Sequence, residues 1–140
     1  MKTTHYTVSV EFGDCDPAGI VFFPNFLRWI DSSSRHYFVE CGVPSWRETE
    51  QAHGIIGTPI VDVQARFVAT ATYGDRLIVQ TTVSEWRNRS FVMRHVVRRG
   101  ETVLVEASEV RIFARRTQKE PPRIEAVAIP EFVREACDSA

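Results

Sequence analysis

Residues 11–42 read EFGDCDPAGIVFFPNFLRWIDSSSRHYFVECG, and the rest of the chain is understood from them. Asp14 and Asp16 flank Cys15, and Pro17 and Gly19 force a tight bend after them. Pro24 stands where a helix can begin, because the missing proline N–H would have no partner at a first helical position. Beyond it, Phe26, Ile30, Ser34, Tyr37 and Cys41 lie along one helical stripe, widened by Leu27, Trp29, Ser33 and Phe38. Arg28, Arg35, His36 and Glu40 fill much of the remainder, and Gly42 suits the left-handed backbone that closes a helix. Serines at 32–34 weaken helix propensity but let another element approach closely, so a central, packed helix is expected. A carboxylate just ahead of the positive end of a helix dipole suits acyl chemistry, in which negative charge develops on a carbonyl oxygen.

Outward from this stretch the pattern is strand. Val8, Val10 and Phe12 alternate with Thr7, Ser9 and Glu11, which predicts a half-buried strand over 5–12. Residues 44–53 hold a short second helix, anchored by Trp46 and ended by Gly54. The run 55–70 reads as a strand interrupted at Gly57-Thr58-Pro59, a bulge or a place of close approach. Three further runs, 76–86, 90–99 and 102–115, are joined by Arg87-Asn88-Arg89 and Arg99-Gly100-Glu101 and form an antiparallel meander. In the last of them Val103, Val105 and Ala107 share a face. A polar loop with Pro121-Pro122, a short edge strand over 124–129 and a frayed helix over 130–137 complete the chain. One strand, one long helix, then several strands describe a single α+β domain over 1–140, with one sheet and one main helix.

Composition narrows the function. A length of 140 residues, 44% hydrophobic and 25% charged, is ordinary for a globular domain. No apolar run is long enough to span a membrane, and the N-terminal MKTTHYTVSV lacks a secretory core, so a cytoplasmic location is expected. Three widely spaced cysteines give neither a disulfide framework nor a metal pattern. A net charge of −1 gives no support for nucleic-acid binding. Between Trp86 and Arg116, however, eight arginines face three glutamates, either as solvated strand edges or as a phosphate-binding rim. The four histidines show no ligand spacing and read as surface or packed residues, and Trp29, Trp46 and Trp86 as core anchors.

The D-x-D turn admits several readings. A calcium loop fails because Ala18 and Asn25 occupy the fifth and twelfth positions. A phosphatase motif requires a buried parallel strand before it, whereas this one alternates. A plain Asx turn, with carboxylates bonding local N–H groups, suits Asp14 better than it suits Asp16.

The run F-G-D-C-D-P-A-G-I-V, followed by P-N-F-L-R-W-I-D, G-T-P-I-V and E-W-R-N-R-S-F-V, resembles the 4-hydroxybenzoyl-CoA thioesterase family of hotdog-fold enzymes over about residues 5–113. The resemblance implies a long helix wrapped by an antiparallel sheet, and homodimers that continue the sheet, often paired into homotetramers. It implies an acyl-CoA substrate hydrolysed by water without a metal or other cofactor. Asp16 takes the place of the family's catalytic carboxylate, as nucleophile or general base, and the backbone N–H of Phe23 that of the group polarising the thioester carbonyl. Asp31 falls on a carboxylate that accepts a hydrogen bond from a phenolic hydroxyl, Thr58 on a pocket residue near the thioester, and Arg87 and Arg89 on positions that meet coenzyme A phosphates. Guanidinium groups suit such phosphates.

Departures from the family pattern bear on substrate more than on catalysis. A close family member carries tyrosine where Phe23 and Phe26 stand, and a basic residue where Asn88 stands. Pro24 replaces the histidine of the Tol–Pal-associated branch. The step from Phe23 to Asp31 spans about 12 Å along a helix, beyond a benzoyl ring's reach of about 6–7 Å, so supply of Asp31 by a neighbouring subunit is left open. The expected activity is hydrolysis of an aromatic, hydroxybenzoyl-like CoA thioester. The alternatives are a thioesterase for short aliphatic acyl-CoAs, which would gain nothing from a costly buried carboxylate at Asp31, and a non-catalytic acyl-CoA-binding protein, which would not need Asp16.

Overall fold

A strand of seven residues, β1 (Thr3–Ser9), opens the structure, a computed structural model that describes residues 1–138. It is followed by α1 (Pro24–Glu40), α2 (Trp46–His53), β2 (Ile60–Phe67), β3 (Arg76–Trp86), β4 (Ser90–Arg99), β5 (Thr102–Arg116), β6 (Ile124–Val127) and α3 (Glu131–Asp138). The strands form one antiparallel sheet in the order β1-β3-β4-β5-β2. β6 pairs with Phe113–Arg116 of β5, beyond the last β4 pair at Ile112, while Gly57 bridges Ala114. One long helix against one antiparallel sheet is the α+β arrangement expected.

Helix α1 begins at Pro24 and closes with Gly42 at φ 83°, and its buried residues are Phe26, Trp29, Ile30, Ser33, Ser34, Tyr37 and Phe38. The predicted stripe is buried except at Leu27 and Cys41, which are partly so. Helix α2 is capped by Ser45, whose hydroxyl accepts from the Glu48 N–H, while Glu48 accepts from the Ser45 N–H. Its Trp46 packs edge-on against Phe38 and Phe113.

The core has two apolar halves. Around the first half of α1 lie Val8, Val10, Leu77, Val79, Val97 and Val105. Around the second half lie Val83, Phe91, Met93, Phe113, Ile129 and Val133. Between them, within α1, β3, β4 and β5, sits a buried polar layer of Ser33, Ser34, Thr81, His95, Glu109 and Arg111.

Four local expectations are corrected. Strand β1 ends at Ser9 and Phe12–Asp14 is a 3-10 turn, which swings Phe12 outward to 77% exposure against Tyr73. Register shifts at Val97/Arg98 as β4 pairs with β5, and both Leu104 and Val105 are buried while Val103 is only partly so. Helix α3 is not frayed: Val133 and Cys137 are buried, and the Arg134 guanidinium donates to the Arg87 carbonyl. Arg111 is neither a solvated edge nor a phosphate ligand but a buried cation.

Candidate active site

The Asp14–Phe23 segment folds back on itself as a miniature hairpin. Cys15 bridges Val21, the Asp16 N–H donates to Ile20 O at 2.8 Å, and the Phe22 N–H donates to Asp14 O at 2.9 Å. The Gly19 N–H donates to Asp16 O at 2.9 Å, and the positive φ of Gly19, 82°, lets the chain reverse there. Asp14 is consumed by structure: its carboxylate accepts from the Glu11 N–H at 2.9 Å and from Arg28 at 3.2 Å. Asp16 differs. Its Oδ1 accepts from the Ala18 N–H at 2.9 Å, and its Oδ2 has no partner among the described residues. One oxygen orients the carboxylate and the other stays free.

The same hairpin runs straight into α1. Asn25 N–H and Phe26 N–H are closed onto Phe22 O and Phe23 O at 2.9 and 3.0 Å, and Pro24 has no N–H. The Phe23 amide is left without an acceptor among the described residues, at the positive end of a 17-residue helix. Its side chain is 58% exposed and packs edge-on against Phe22 and Phe67. The turn thus presents a free carboxylate oxygen and a free amide donor on one short hairpin, a combination suited to a carbonyl that becomes an oxyanion.

Asp31 and Thr58 are brought together elsewhere. They line a cavity of about 370 Å3 with Arg35, Trp46, Gly57 and Arg111, and neither Asp16 nor Phe23 reaches it. Asp31 Oδ1 accepts from Arg111 Nη2 at 2.7 Å, and the Thr58 carbonyl accepts from Arg111 Nη1 at 2.9 Å. The Asp31 side chain is 71% exposed, so a costly buried charge does not argue against an aliphatic acyl group here. Arg35 stacks over Trp46 at 4.7 Å, and burial lowers its pKa.

The sequence reading missed the polar layer behind this cavity. Glu109 receives Arg111 through both oxygens, at 3.2 Å from Nε and 2.8 Å from Nη2. It also lies 2.6 Å from His95 Nε2 and accepts from Ser34 Oγ at 2.7 Å. His95 Nδ1 lies 2.7 Å from Thr81 Oγ1, itself 2.7 Å from Ser33 Oγ. Burial pushes the Glu109 carboxyl up, but hydrogen bonds from His95 and Arg111 outweigh it and hold the group at about 2. Burial alone would lower the Arg111 pKa; bonding to Glu109 and Asp31 raises it instead. Although serine, histidine and glutamate meet here, Ser34 is 2% exposed and closed off from any substrate. The signal available was parity: Glu109 and Arg111 continue the Val105–Ala107 face of β5, one cross-strand step from His95.

Arg87 and Arg89 sit on the β3–β4 connection, exposed and flanked by the second half of the core. Arg87 pairs with Glu85 at 2.9 Å; the Arg89 side chain has no partner among the described residues. They lie at the C-terminal end of α1, whose 17 residues span about 26 Å, and Asp16 lies at the other. Within one chain the expected site is therefore dispersed over three places.

Comparison with known proteins supplies a common frame for these places. A family model described as the thioesterase-like superfamily matches residues 10–137. The 4-hydroxybenzoyl-CoA thioesterase of Pseudomonas sp. (strain CBS-3) is 50% identical over 133 residues, 91% of this chain and 92% of that protein. A 1,4-dihydroxy-2-naphthoyl-CoA hydrolase of Prochlorococcus marinus (strain MIT 9515) is 30% identical over 69% of this chain and 67% of its own length. Among solved structures, a mutant 4-hydroxybenzoyl-CoA thioesterase complexed with 4-hydroxybenzoyl-CoA superposes with a TM-score of 0.91 at 44% identity, covering 98% of this chain and 99% of that one. A gentisyl-coenzyme A thioesterase superposes at 0.79 and 30% identity, covering 96% and 99%.

Proposed function

The chain belongs to the thioesterase-like superfamily, and from that premise we propose that it hydrolyses an aromatic acyl-CoA of the 4-hydroxybenzoyl-CoA kind, releasing the free acid and coenzyme A. The observation that carries the chemistry is the free Oδ2 of Asp16 on the hairpin that also presents the unpaired Phe23 amide. Two routes use that one oxygen. It attacks the thioester carbonyl, expels the thiolate and leaves an anhydride for water to cleave, or it takes a proton from the attacking water. In both, the tetrahedral oxyanion meets the Phe23 N–H and the positive end of α1.

Thr58 lines the pocket near the thioester, and Asp31 serves the acyl group by accepting a hydrogen bond from a ring hydroxyl through Oδ2, which has no partner among the described residues. Arg87 and Arg89 serve the coenzyme A phosphates. The working unit is a homodimer, or a homotetramer made of two, of single-domain chains in the cytoplasm. Strand β2 supports the dimer. Among the described residues it pairs only with β5, is exposed along its whole length, and carries exposed Ile60, Val61, Val63 and Phe67, the last packed against Phe23. A long apolar edge strand needs a cover, and a second β2 supplies one. In such a pair, Asp31 and Thr58 of one chain complete the carbonyl site of the other.

Thiol release from 4-hydroxybenzoyl-CoA, benzoyl-CoA and butyryl-CoA tests the reading. The hydroxylated ester is expected to have the highest kcat/KM. An equal or faster butyryl ester replaces the reading with an aliphatic thioesterase. Tight binding without turnover of any ester makes the protein a binding module.

A further inference from the structure

Every nitrogen of one guanidinium is committed at the wall of the acyl cavity. Arg111, 7% exposed at its side chain, donates through Nε and Nη2 to Glu109, through Nη1 to the Thr58 carbonyl and through Nη2 to Asp31. The residue therefore bolts together β5, helix α1 at Asp31 and the Gly57–Pro59 segment. Glu109 is in turn fixed by His95 and Ser34, and His95 by Thr81, all of them buried. The planar fork of arginine leaves little freedom once both sides are bonded. Asp31 is the one member of the set whose side chain stands mostly in solvent. Without a partner, an exposed aspartate samples several rotamers; with Oδ1 held at 2.7 Å, its other oxygen has a fixed direction.

We infer that Arg111 is a positioning residue that determines acyl specificity: it holds the Asp31 carboxylate and the Thr58 carbonyl as one rigid unit against the buried Glu109–His95 pair. This rests on the reading that Asp31 meets the substrate's ring substituent. The cation also balances charge, since Glu109 and Asp31 would otherwise place two carboxylates against one cavity wall. Discrimination follows from rigidity. A site built to pair a hydroxyl penalises the analogue lacking it only when its acceptor cannot swing away to water.

The test is the ratio of kcat/KM for 4-hydroxybenzoyl-CoA over benzoyl-CoA. Arg111→Met combined with Glu109→Gln removes both buried charges together, so no carboxylate is stranded in the core. Arg111→Lys is the second variant: its single ammonium cannot reach Glu109, Asp31 and the Thr58 carbonyl at once. Both are expected to lower the ratio, the double variant by about tenfold. In an Asp31→Ala background, Arg111→Lys should leave the ratio where Asp31→Ala alone puts it, an outcome a general loss of packing would not give. An unchanged ratio in whichever Arg111 variant folds overturns the inference, as does a further drop in the Asp31→Ala background. A wild-type ratio near one sinks the acyl assignment of Asp31 instead, so the two failures are told apart.

Discussion

Asp16 is the residue with least structural employment and most chemical opportunity in its turn. Asp14 is held by Glu11 and Arg28, and Cys15 points its thiol at the Glu11 carbonyl 3.8 Å away. Asp16→Asn keeps the bond from the Ala18 N–H but has no negative oxygen to offer. It is expected to lower kcat by about a thousandfold while acyl-CoA binding by calorimetry stays near wild type; Cys15→Ala should keep its turnover. A second residue-scale expectation concerns acid. Glu109 is held at about 2 against an ordinary 4.5, so the folded state binds its proton later than the unfolded state. Its contribution is present above pH 4.5 and is lost as pH falls from there toward 2. Glu109→Gln should flatten the fall in thermal midpoint over that window, and an equally steep fall would show that other carboxylates govern it. The local setting of Asp16 was legible because proline, glycine and the helix start fix it. Glu109 was not, because charge on a strand reads as exposure until the partner on the neighbouring strand, His95, is known.

At the scale of elements, helices and hairpins were legible where local chemistry sets them. Pro24 and Gly42 bound α1, Ser45 and Gly54 bound α2, and Gly74 and Gly100 take positive φ in their turns. The failures came where pairing overrides pattern: the register shift between β4 and β5 buries adjacent residues, and α3 is fixed by contacts with the β3–β4 connection that no local signal announces. That connection carries the coenzyme A prediction. Arg87→Ala with Arg89→Ala is expected to raise KM about tenfold and leave kcat within about twofold, because phosphate contacts remote from the thioester hold ground and transition states alike. Arg89 should weigh more, since Arg87 already shares its charge with Glu85. The salt dependence of KM should flatten in the double variant. A truncated pantetheine thioester hydrolysed with the same penalty would show that neither arginine meets phosphate.

At the scale of the whole molecule, the groups proposed for the carbonyl and those proposed for the acyl group lie apart within one chain. Asp16 and Phe23 sit at the start of α1, and the cavity holding Asp31 and Thr58 is lined by neither. Nothing in the sequence reveals which strand will be the exposed edge, since the pattern of β2 resembles that of a covered strand and only the sheet order leaves it outermost. Pairing two β2 edges about a two-fold axis brings each chain's Phe23 and Phe67 to the seam, because those rings pack 5.9 Å apart. A composite site makes a specific prediction about mixtures. Asp16→Asn is expected to be inactive in both of its sites, and Asp31→Ala to turn over without preferring the ring hydroxyl. Refolded together, about half of the dimers are mixed and one of their two sites joins an intact Asp16 to an intact Asp31, so about a quarter of all sites regain both groups. The mixture should recover a preference for 4-hydroxybenzoyl-CoA over benzoyl-CoA that neither parent shows. If Asp16 and Asp31 act within one chain, every site in the mixed dimer lacks one of them and no preference returns.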